Sequence, residues 1–549
     1  MTSTARLTDS ERLIETLQNP AAWPDSVAVT SGVELIETHI SWVLLTDDFA
    51  WKFKKPVQFD FLDFSTLERR EHFCREELRL NRRFAPELYL GVVAISGTPE
   101  QPFLVLDAAE FDDKQKPFEF AVQMRRFDQS NLLSQLAETG QLDAVIIDEL
   151  ADVVAAFHDT AEPLPDASSS NPAESPAHEP DAIEHLADAA HENFDALQQR
   201  LDESTQKELL SRLEDWTNFQ LASQKEVLQF RRENGMVRNC HGDLHLGNIA
   251  LVDGKVCLFD CIEFNEEFRW IDVMSEIAFV VMDLEERGLP QLAWRFLNRY
   301  LERTGDYEGV RVLPFFLVYR AMVRAKVDAI RLEDSSLRRS DRHELHEELE
   351  SCLETADEDH KFVPPAMILM HGVSGSGKSR VSQQLFEALP AVRVRSDVER
   401  KRLFGLAPED RPATHQSTEL YSADVSRKTY ERLLYLADTL LLTGYPVIVD
   451  ATFLSAESRQ PFLKMAAAHW AKTVIVECTA PLDVLRQRVA QRASNNNDAS
   501  DADVAVLTQQ IPTVDRPQDS EAAYVLRIDT SESDDLSRIT TQIRQSVGQ

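Results

Sequence analysis

Between His241 and Asp260 the chain reads H-G-D-L-H-L-G-N-I-A-L-V-D-G-K-V-C-L-F-D, a spacing of Asp243, Asn248 and Asp260 that suits phosphoryl transfer from ATP. That reaction needs one carboxylate to orient or deprotonate the acceptor hydroxyl. It also needs an amide oxygen and a second carboxylate to hold magnesium on the phosphates. Asp243 fits the first task, and Asn248 and Asp260 fit the others. His241 is expected to orient the loop through a hydrogen bond rather than to act as a base. A second set begins at Gly372, where G-V-S-G-S-G-K-S completes the pattern G-x-x-x-x-G-K-[ST]. In such a loop Gly372, Gly375 and Gly377 let backbone N–H groups close around phosphate oxygens, Lys378 reaches the β and γ phosphates, and Ser379 ligates magnesium.

Both sets depend on the elements that carry them. Asp253-Gly254, between the apolar runs I-A-L-V and K-V-C-L-F, signals a two-residue hairpin. With Val252 facing Lys255, counting along the ladder places Asn248 beside Phe259 and Asp260. The second loop follows the apolar run M-I-L-M and precedes an amphipathic pattern, the strand–loop–helix context it requires. From Met367 onward A-M-I-L-M, V-R-V-R, P-V-I-V-D, T-V-I-V-E and Y-V-L-R-I alternate with helical patterns, which predicts a parallel sheet. V-R-V-R leads into S-D-V-E-R, so Asp397 and Arg400 fall just past a strand's carboxyl end, where ligands collect in open parallel sheets. P-V-I-V-D puts Asp450 at the end of a buried strand, suited to act on magnesium through water.

Upstream, residues 30–107 predict a small sheet with one helix over 66–84, and helical patterns dominate 181–233 and 272–353. A stretch rich in Pro, Ser and acid over 161–180 predicts a mobile surface insertion. A charged helix ending near Glu358, then Pro364 and Pro365, marks a boundary, which gives domains 1–360 and 361–549.

The segment from His241 to Asp260 resembles the aminoglycoside phosphotransferase and choline kinase superfamily, whose catalytic loop reads H-x-D-x-x-x-x-N before a metal-binding Asp. The resemblance spans roughly residues 30–340. It implies an α+β bilobal protein-kinase-like domain with ATP between the lobes, and a first-lobe lysine paired to a helix glutamate. W-K-F-K-K-P offers Lys54, with Lys52 close behind on the same strand face, and the helix offers Glu77 in preference to Glu76. No glycine-rich phosphate loop stands out in that lobe. Antibiotic kinases of this superfamily hold cationic amines with acids after the metal Asp. Here Glu263, Glu266, Glu267, Asp272 and Asp283 read instead as solvated helical surface.

The segment from Met367 to Asp529 resembles P-loop kinases of the polynucleotide-kinase and zeta-toxin type. That resemblance implies an α/β P-loop domain in which Asp397 activates the acceptor hydroxyl and Arg400 can hold an acceptor phosphate. The helix L-R-Q-R-V-A-Q-R, leading into S-N-N-N-D-A-S-D-A-D, resembles a kinase lid in which Arg486, Arg488 or Arg492 neutralises the transferring group. Together the halves resemble predicted fusions of an aminoglycoside-phosphotransferase-like domain with a P-loop ATP-binding domain.

Composition narrows the partners. With 93 acidic against 58 basic residues in 549, the net charge of −35 repels nucleic acid and anionic membranes in general. A local basic groove around Arg393, Arg395, Arg400 and Arg402 is what a nucleic-acid end kinase would need against that field. Six cysteines without C-x-x-C spacing argue against zinc and a disulfide framework. No apolar run approaches a membrane span, and the first residues lack an apolar signal core, so a reducing cytoplasm is expected. The expectation is a bifunctional ATP- and Mg2+-dependent kinase acting on small-molecule hydroxyls. The alternatives are that one half senses nucleotide to regulate the other, or that the P-loop half acts on nucleic-acid ends.

Overall fold

Strand Phe49–Lys54 (β3) shows how the first unit is built. Successive side chains point to opposite faces of a strand, so Trp51 and Phe53 fall on one side and Ala50, Lys52 and Lys54 on the other. Trp51 and Phe53 join a buried cluster with Trp42, Leu44, Val93 and Ile95, capped by Leu13 and Leu17 of the helix Asp9–Leu17. Ala50 joins a second cluster with Tyr89, Phe120, Val122 and Cys74, the last from the helix Leu67–Asn81 (α1). Both faces of the sheet are thus covered, and the two lysines lie on the face that carries α1.

The computed structural model describes residues 8–59, 62–106, 116–165, 182–201, 203–334, 337–361, 364–410, 420–495, 504–521, 524–531 and 536–547. Residues 166–180 of the Pro- and Ser-rich stretch, and 496–503 of the proposed lid loop, lie outside them. The chain forms two compact units, one made of Met1–Leu142, Ala161–Leu164 and Val237–Glu276, the other of Asp143–Thr160, Pro165–Met236 and Ile277–Gln549.

In the first unit, β3 belongs to a six-stranded antiparallel sheet with Glu34–Glu37 (β1), Ser41–Leu45 (β2), Tyr89–Thr98 (β4), Gln101–Val105 (β5) and Glu119–Arg125 (β6), in the order β1-β2-β3-β6-β4-β5. The expected hairpin forms from Ile249–Val252 (β7) and Lys255–Leu258 (β8), with Val252 opposite Lys255 and Ile249 opposite Leu258. Its turn has φ of 53° at Asp253 and 74° at Gly254, the left-handed pair a two-residue hairpin needs.

The second unit combines long helices with a parallel sheet. Ala366–His371 (β9) is buried along its whole length, as a central parallel strand covered on both faces must be. Val392–Arg395 (β10), Val447–Asp450 (β11), Lys472–Thr479 (β12) and Tyr524–Asp529 (β13) complete a five-stranded sheet ordered β10-β11-β9-β12-β13. All four pairings are parallel, as the sequence predicts. Helix Pro290–Thr304 (α2) starts with Pro at its first turn and ends at Gly305, whose φ of 77° supplies a left-handed cap. It buries Ala293, Trp294, Phe296, Leu297, Tyr300 and Leu301 together with Asn298 and Glu302. Among the described residues, no helix is long and apolar enough to cross a membrane.

Candidate active sites

The first site lies within the first unit. Period-two alternation aims Lys52 and Lys54 at Glu77 of α1, and both reach it. Lys54 Nζ lies 2.7 Å from Glu77 Oε2 and Lys52 Nζ 3.0 Å from Oε1. Their second partners differ, because Lys52 pairs with Asp260 while Lys54 pairs with Glu263. Burial alone would push the Glu77 carboxyl up, but the Lys52 and Lys54 charges outweigh it and bring it down to about 2. Burial likewise works against the charged form of Lys52, yet the carboxylates of Asp260 and Glu77 hold its pKa well above the usual lysine range. Glu76, the rejected alternative, pairs with Arg79 on the same helix at 2.7 Å.

The hairpin then delivers the other groups. Phe259 N donates to Asn248 O at 3.0 Å, so Asn248 and Asp260 stand at the same end of the ladder, as the register count requires. Asn248 Nδ2 donates to Asp243 O at 2.9 Å and to Asp243 Oδ2 at 3.0 Å, which leaves its oxygen as the atom open to a cation. Asp260 adopts φ of 62°, and its N–H donates to the Tyr89 hydroxyl at 3.0 Å. A non-glycine residue held there is paying about 1 kcal/mol or more of strain to aim its carboxylate. The donor set is all oxygen, which fits a hard cation such as magnesium.

His241 is buried and its Nε2–H donates to Phe259 O at 2.8 Å, while its ring stacks on Phe84 at 5.4 Å. Burial lowers its pKa, which favours the neutral imidazole whose Nδ1 accepts from Asp243 N at 3.4 Å. Backbone N–H groups of His241 and Gly242 both donate to Glu276 Oε1 at 2.7 Å. Gly242 has φ of 90°, and a Cβ there would come within 2.6 Å of Phe268 O, so this loop needs glycine.

Sequence reasoning missed Tyr89, Glu276 and Glu263 as parts of this site. The reading of the acids after Asp260 as solvated surface holds for Glu266 and Glu267, which are exposed, and fails elsewhere. Glu263 is buried against Lys54, and Asp272 is buried and accepts from Met274 N at 2.8 Å. In the second unit Asp283 is buried and pairs with Arg287 at 2.9 Å. These acids are buried because cations or backbone donors compensate them, which linear charge patterning does not reveal.

The second site lies within the second unit. Gly372, Gly375 and Gly377 have φ of 142°, 81° and 87°, and a Cβ at Gly372 would approach Cys478 O to 2.5 Å. At Gly377 it would come within 2.9 Å of Thr530 Oγ1. Helix Lys378–Ala388 (α3) starts directly after the loop, so its first N–H groups face the concavity. Lys378 Nζ donates to Val373 O at 3.0 Å, and the buried Ser376 hydroxyl has no hydrogen-bond partner. Such a cradle, with an orphaned hydroxyl, fits a phosphate chain.

Ser379 stands in the first turn of α3. Asp450, 5% exposed, ends β11 with Oδ2 3.2 Å from Ser382 Oγ and 3.9 Å from Arg395 Nε. Asp397 is half-buried at the start of helix Ser396–Arg402 (α4). Arg400, on the same helix, is buried with its guanidinium 4.7 Å from the Tyr421 ring and no hydrogen-bond partner at Nε. Of the lid candidates, Arg488 donates to Thr530 Oγ1 at 2.7 Å and lies 3.4 Å from Gly375 O, Arg486 is exposed, and the Arg492 side chain lies outside the described residues. Arg393, Arg395, Arg400 and Arg402 do not line an open basic groove. Arg393 and Arg395 pair with Glu302, Arg400 is buried, and Arg402 donates to Glu399 Oε1 at 3.1 Å.

Residues 74–313 match the family model described as the phosphotransferase enzyme family, and residues 367–517 match one described as an AAA domain. Fold and matches together define a kinase with a phosphotransferase-type domain followed by a P-loop kinase-like domain. The uncharacterized protein Rv2004c of Mycobacterium tuberculosis is 30% identical over 478 residues, covering 86% of this chain and 89% of that protein. Uncharacterized protein Mb2027c of Mycobacterium bovis matches to the same extent, and the chain belongs to the family of these mycobacterial proteins. Among solved structures, Plasmodium vivax ethanolamine kinase is similar over 61% of this chain and 82% of its own, at 11% identity and a TM-score of 0.37. A putative kinase from Chloroflexus aurantiacus is similar over 34% of this chain and 98% of its own, at 21% identity and a TM-score of 0.29.

Proposed function

We propose that this kinase is bifunctional, with two ATP and Mg2+ sites that each transfer a γ-phosphoryl group to a hydroxyl of a small molecule. Nucleotide chemistry divides near residue 360, with Asp243 serving one acceptor and Asp397 the other. Its proposed location is a reducing cytoplasm, in keeping with six cysteines that have no C-x-x-C spacing.

In the first site Lys52, rather than Lys54, is the better-supported phosphate lysine, because it alone of the two pairs with Asp260. Lys54 is enclosed between Glu77 and Glu263 and holds them in place. When bound, magnesium would supply charge neutralisation on the phosphates, with Asp260 and Asn248 as its ligands. Asp243 would take the acceptor proton as the acceptor oxygen bonds to phosphorus and the bond from phosphorus to the ADP oxygen breaks.

In the second site Lys378 and the loop amides would hold the phosphates, Ser379 and Asp450 would serve the metal, and Arg400 offers its buried guanidinium to an anionic group of the acceptor.

The observation that carries this reading is the convergence of Lys52, Glu77, Asp260, Asn248 and Asp243 from separate stretches of chain. Its test is the magnesium dependence of nucleotide binding by calorimetry. Asp260→Ala should weaken binding in magnesium far more than Asp243→Asn does, and equal effects would remove Asp260 from the metal.

A further inference from the structure

Helix α2 belongs to the segment that matches the phosphotransferase family, yet inside the second unit it packs against the P-loop helix α3 and the strand β10. Its single acid, Glu302, is 3% exposed. Glu302 Oε1 accepts from Arg393 Nε at 3.0 Å and Nη2 at 2.6 Å, and Oε2 accepts from Arg395 Nη1 at 3.3 Å. Arg393 Nη1 continues to Ser379 O at 3.3 Å and to Ser382 Oγ at 3.2 Å. The Ser382 hydroxyl stands 3.2 Å from Asp450 Oδ2, and Arg395 Nε stands 3.9 Å from the same oxygen. The chain of contacts therefore closes on itself through Glu302, Arg393, Ser382, Asp450 and Arg395. Asn298, one turn earlier on α2, fixes the register by accepting from Arg393 N at 2.7 Å and donating to Ala391 O at 3.0 Å.

A guanidinium 3.9 Å from the Asp450 carboxylate, with a second reaching it through the Ser382 hydroxyl, would ordinarily offset its charge and compete with a cation. Glu302 supplies the counter-charge instead, so that Asp450 remains an available anion at the end of its strand.

We propose that Glu302 is a positioning residue of the P-loop site, holding Arg393 and Arg395 so that Ser379 and Asp450 keep their places on the metal side. The P-loop site is thus completed by a carboxylate from outside the segment that matches the AAA family. This rests on the reading of Ser379 and Asp450 as the groups that serve magnesium.

The test uses the full chain with Lys52→Ala and Asp260→Ala, so that calorimetry with a non-hydrolysable ATP analogue reports the second site. Nucleotide binding is titrated at increasing magnesium. Glu302→Gln should raise the magnesium concentration for half-maximal binding by roughly tenfold or more, as loss of a supporting contact around a metal typically does. Affinity for the metal-free analogue should change little, since Lys378 and the loop amides are untouched. Arg395→Gln, in a less buried position, provides the second variant should Glu302→Gln fail to fold. It should alter the same magnesium midpoint while leaving metal-free binding near the parent value. A purely structural role would lower the melting temperature and leave that midpoint unmoved, and this result would overturn the proposal. If the parent background shows no binding abolished by Lys378→Ala, the P-loop reading falls first and the inference with it.

Discussion

Two lysines share one glutamate in the first site, and their substitutions should separate cleanly. Lys52→Ala removes the cation beside Asp260 and one of the two on Glu77, and should weaken nucleotide binding at a smaller cost in stability than Lys54→Ala, whose two acid partners are both buried. Lys54→Ala leaves Glu77 and Glu263 buried with one cation fewer, a change that typically costs about 3–5 kcal/mol. Thermal melts alongside nucleotide titration distinguish the two, and a stable Lys54→Ala variant with lost binding would restore Lys54 as the phosphate lysine. Asp243→Asn should slow transfer by about 10²–10⁴-fold, the usual worth of a positioned base, with ATP affinity little changed. ADP formation in a metabolite extract, measured with the second site silenced by Lys378→Ala, checks this. The sequence limits the lysine to this pair because one strand face carries both. It cannot choose between them, since the choice depends on where Asp260 and Glu263 lie, more than 200 positions away.

At the scale of elements, local signals were the readable ones. Asp253-Gly254 defines a hairpin because only a left-handed pair closes two residues between twisted strands, and the ladder register then follows by counting. The five parallel strands are legible for a similar reason, as short apolar runs separated by helical patterns. What is not legible is the partner of a strand's polar residue. In V-R-V-R the arginines look like a basic surface, but α2 covers them with Glu302, whose position on the chain gives no hint of the contact. The end of β9 carries its own pH signature. His371 is 1% exposed, its Nδ1–H donates to Phe453 O at 3.0 Å, and burial pushes its pKa down to about 4. Because the unfolded imidazole titrates near 6.5, the folded state is favoured most above that pH and loses on the order of 3 kcal/mol as pH falls from about 6.5 to 4. Melting temperatures across this window should fall less steeply in His371→Gln than in the parent.

For the whole molecule, the two sites should fail separately while the second unit holds together as one. Calorimetry should find two nucleotide sites in the parent, one in Lys378→Ala, and one in the Lys52→Ala, Asp260→Ala double mutant. A single parent site would leave one half without nucleotide. Separate sites do not imply separable pieces. A fragment beginning at residue 361 keeps the P-loop but loses Glu302 and Asn298, leaving two arginines of β10 without their buried acid. That fragment should be insoluble or markedly less stable than one beginning before α2, which solubility and melting measurements of the two would establish.

The shared glutamate of the first site also bears on control. Many bilobal kinases are silenced by swinging away the helix that carries the glutamate, once its single lysine lets go. Here, if a phosphate were to draw Lys52 off, Glu77 would still be clasped by Lys54, which Glu263 holds from the other side. A helix tethered twice has no cheap resting place elsewhere. If Lys52 has the proposed phosphate role, the module is expected to stand ready, with its throughput set by the supply of nucleotide and acceptor.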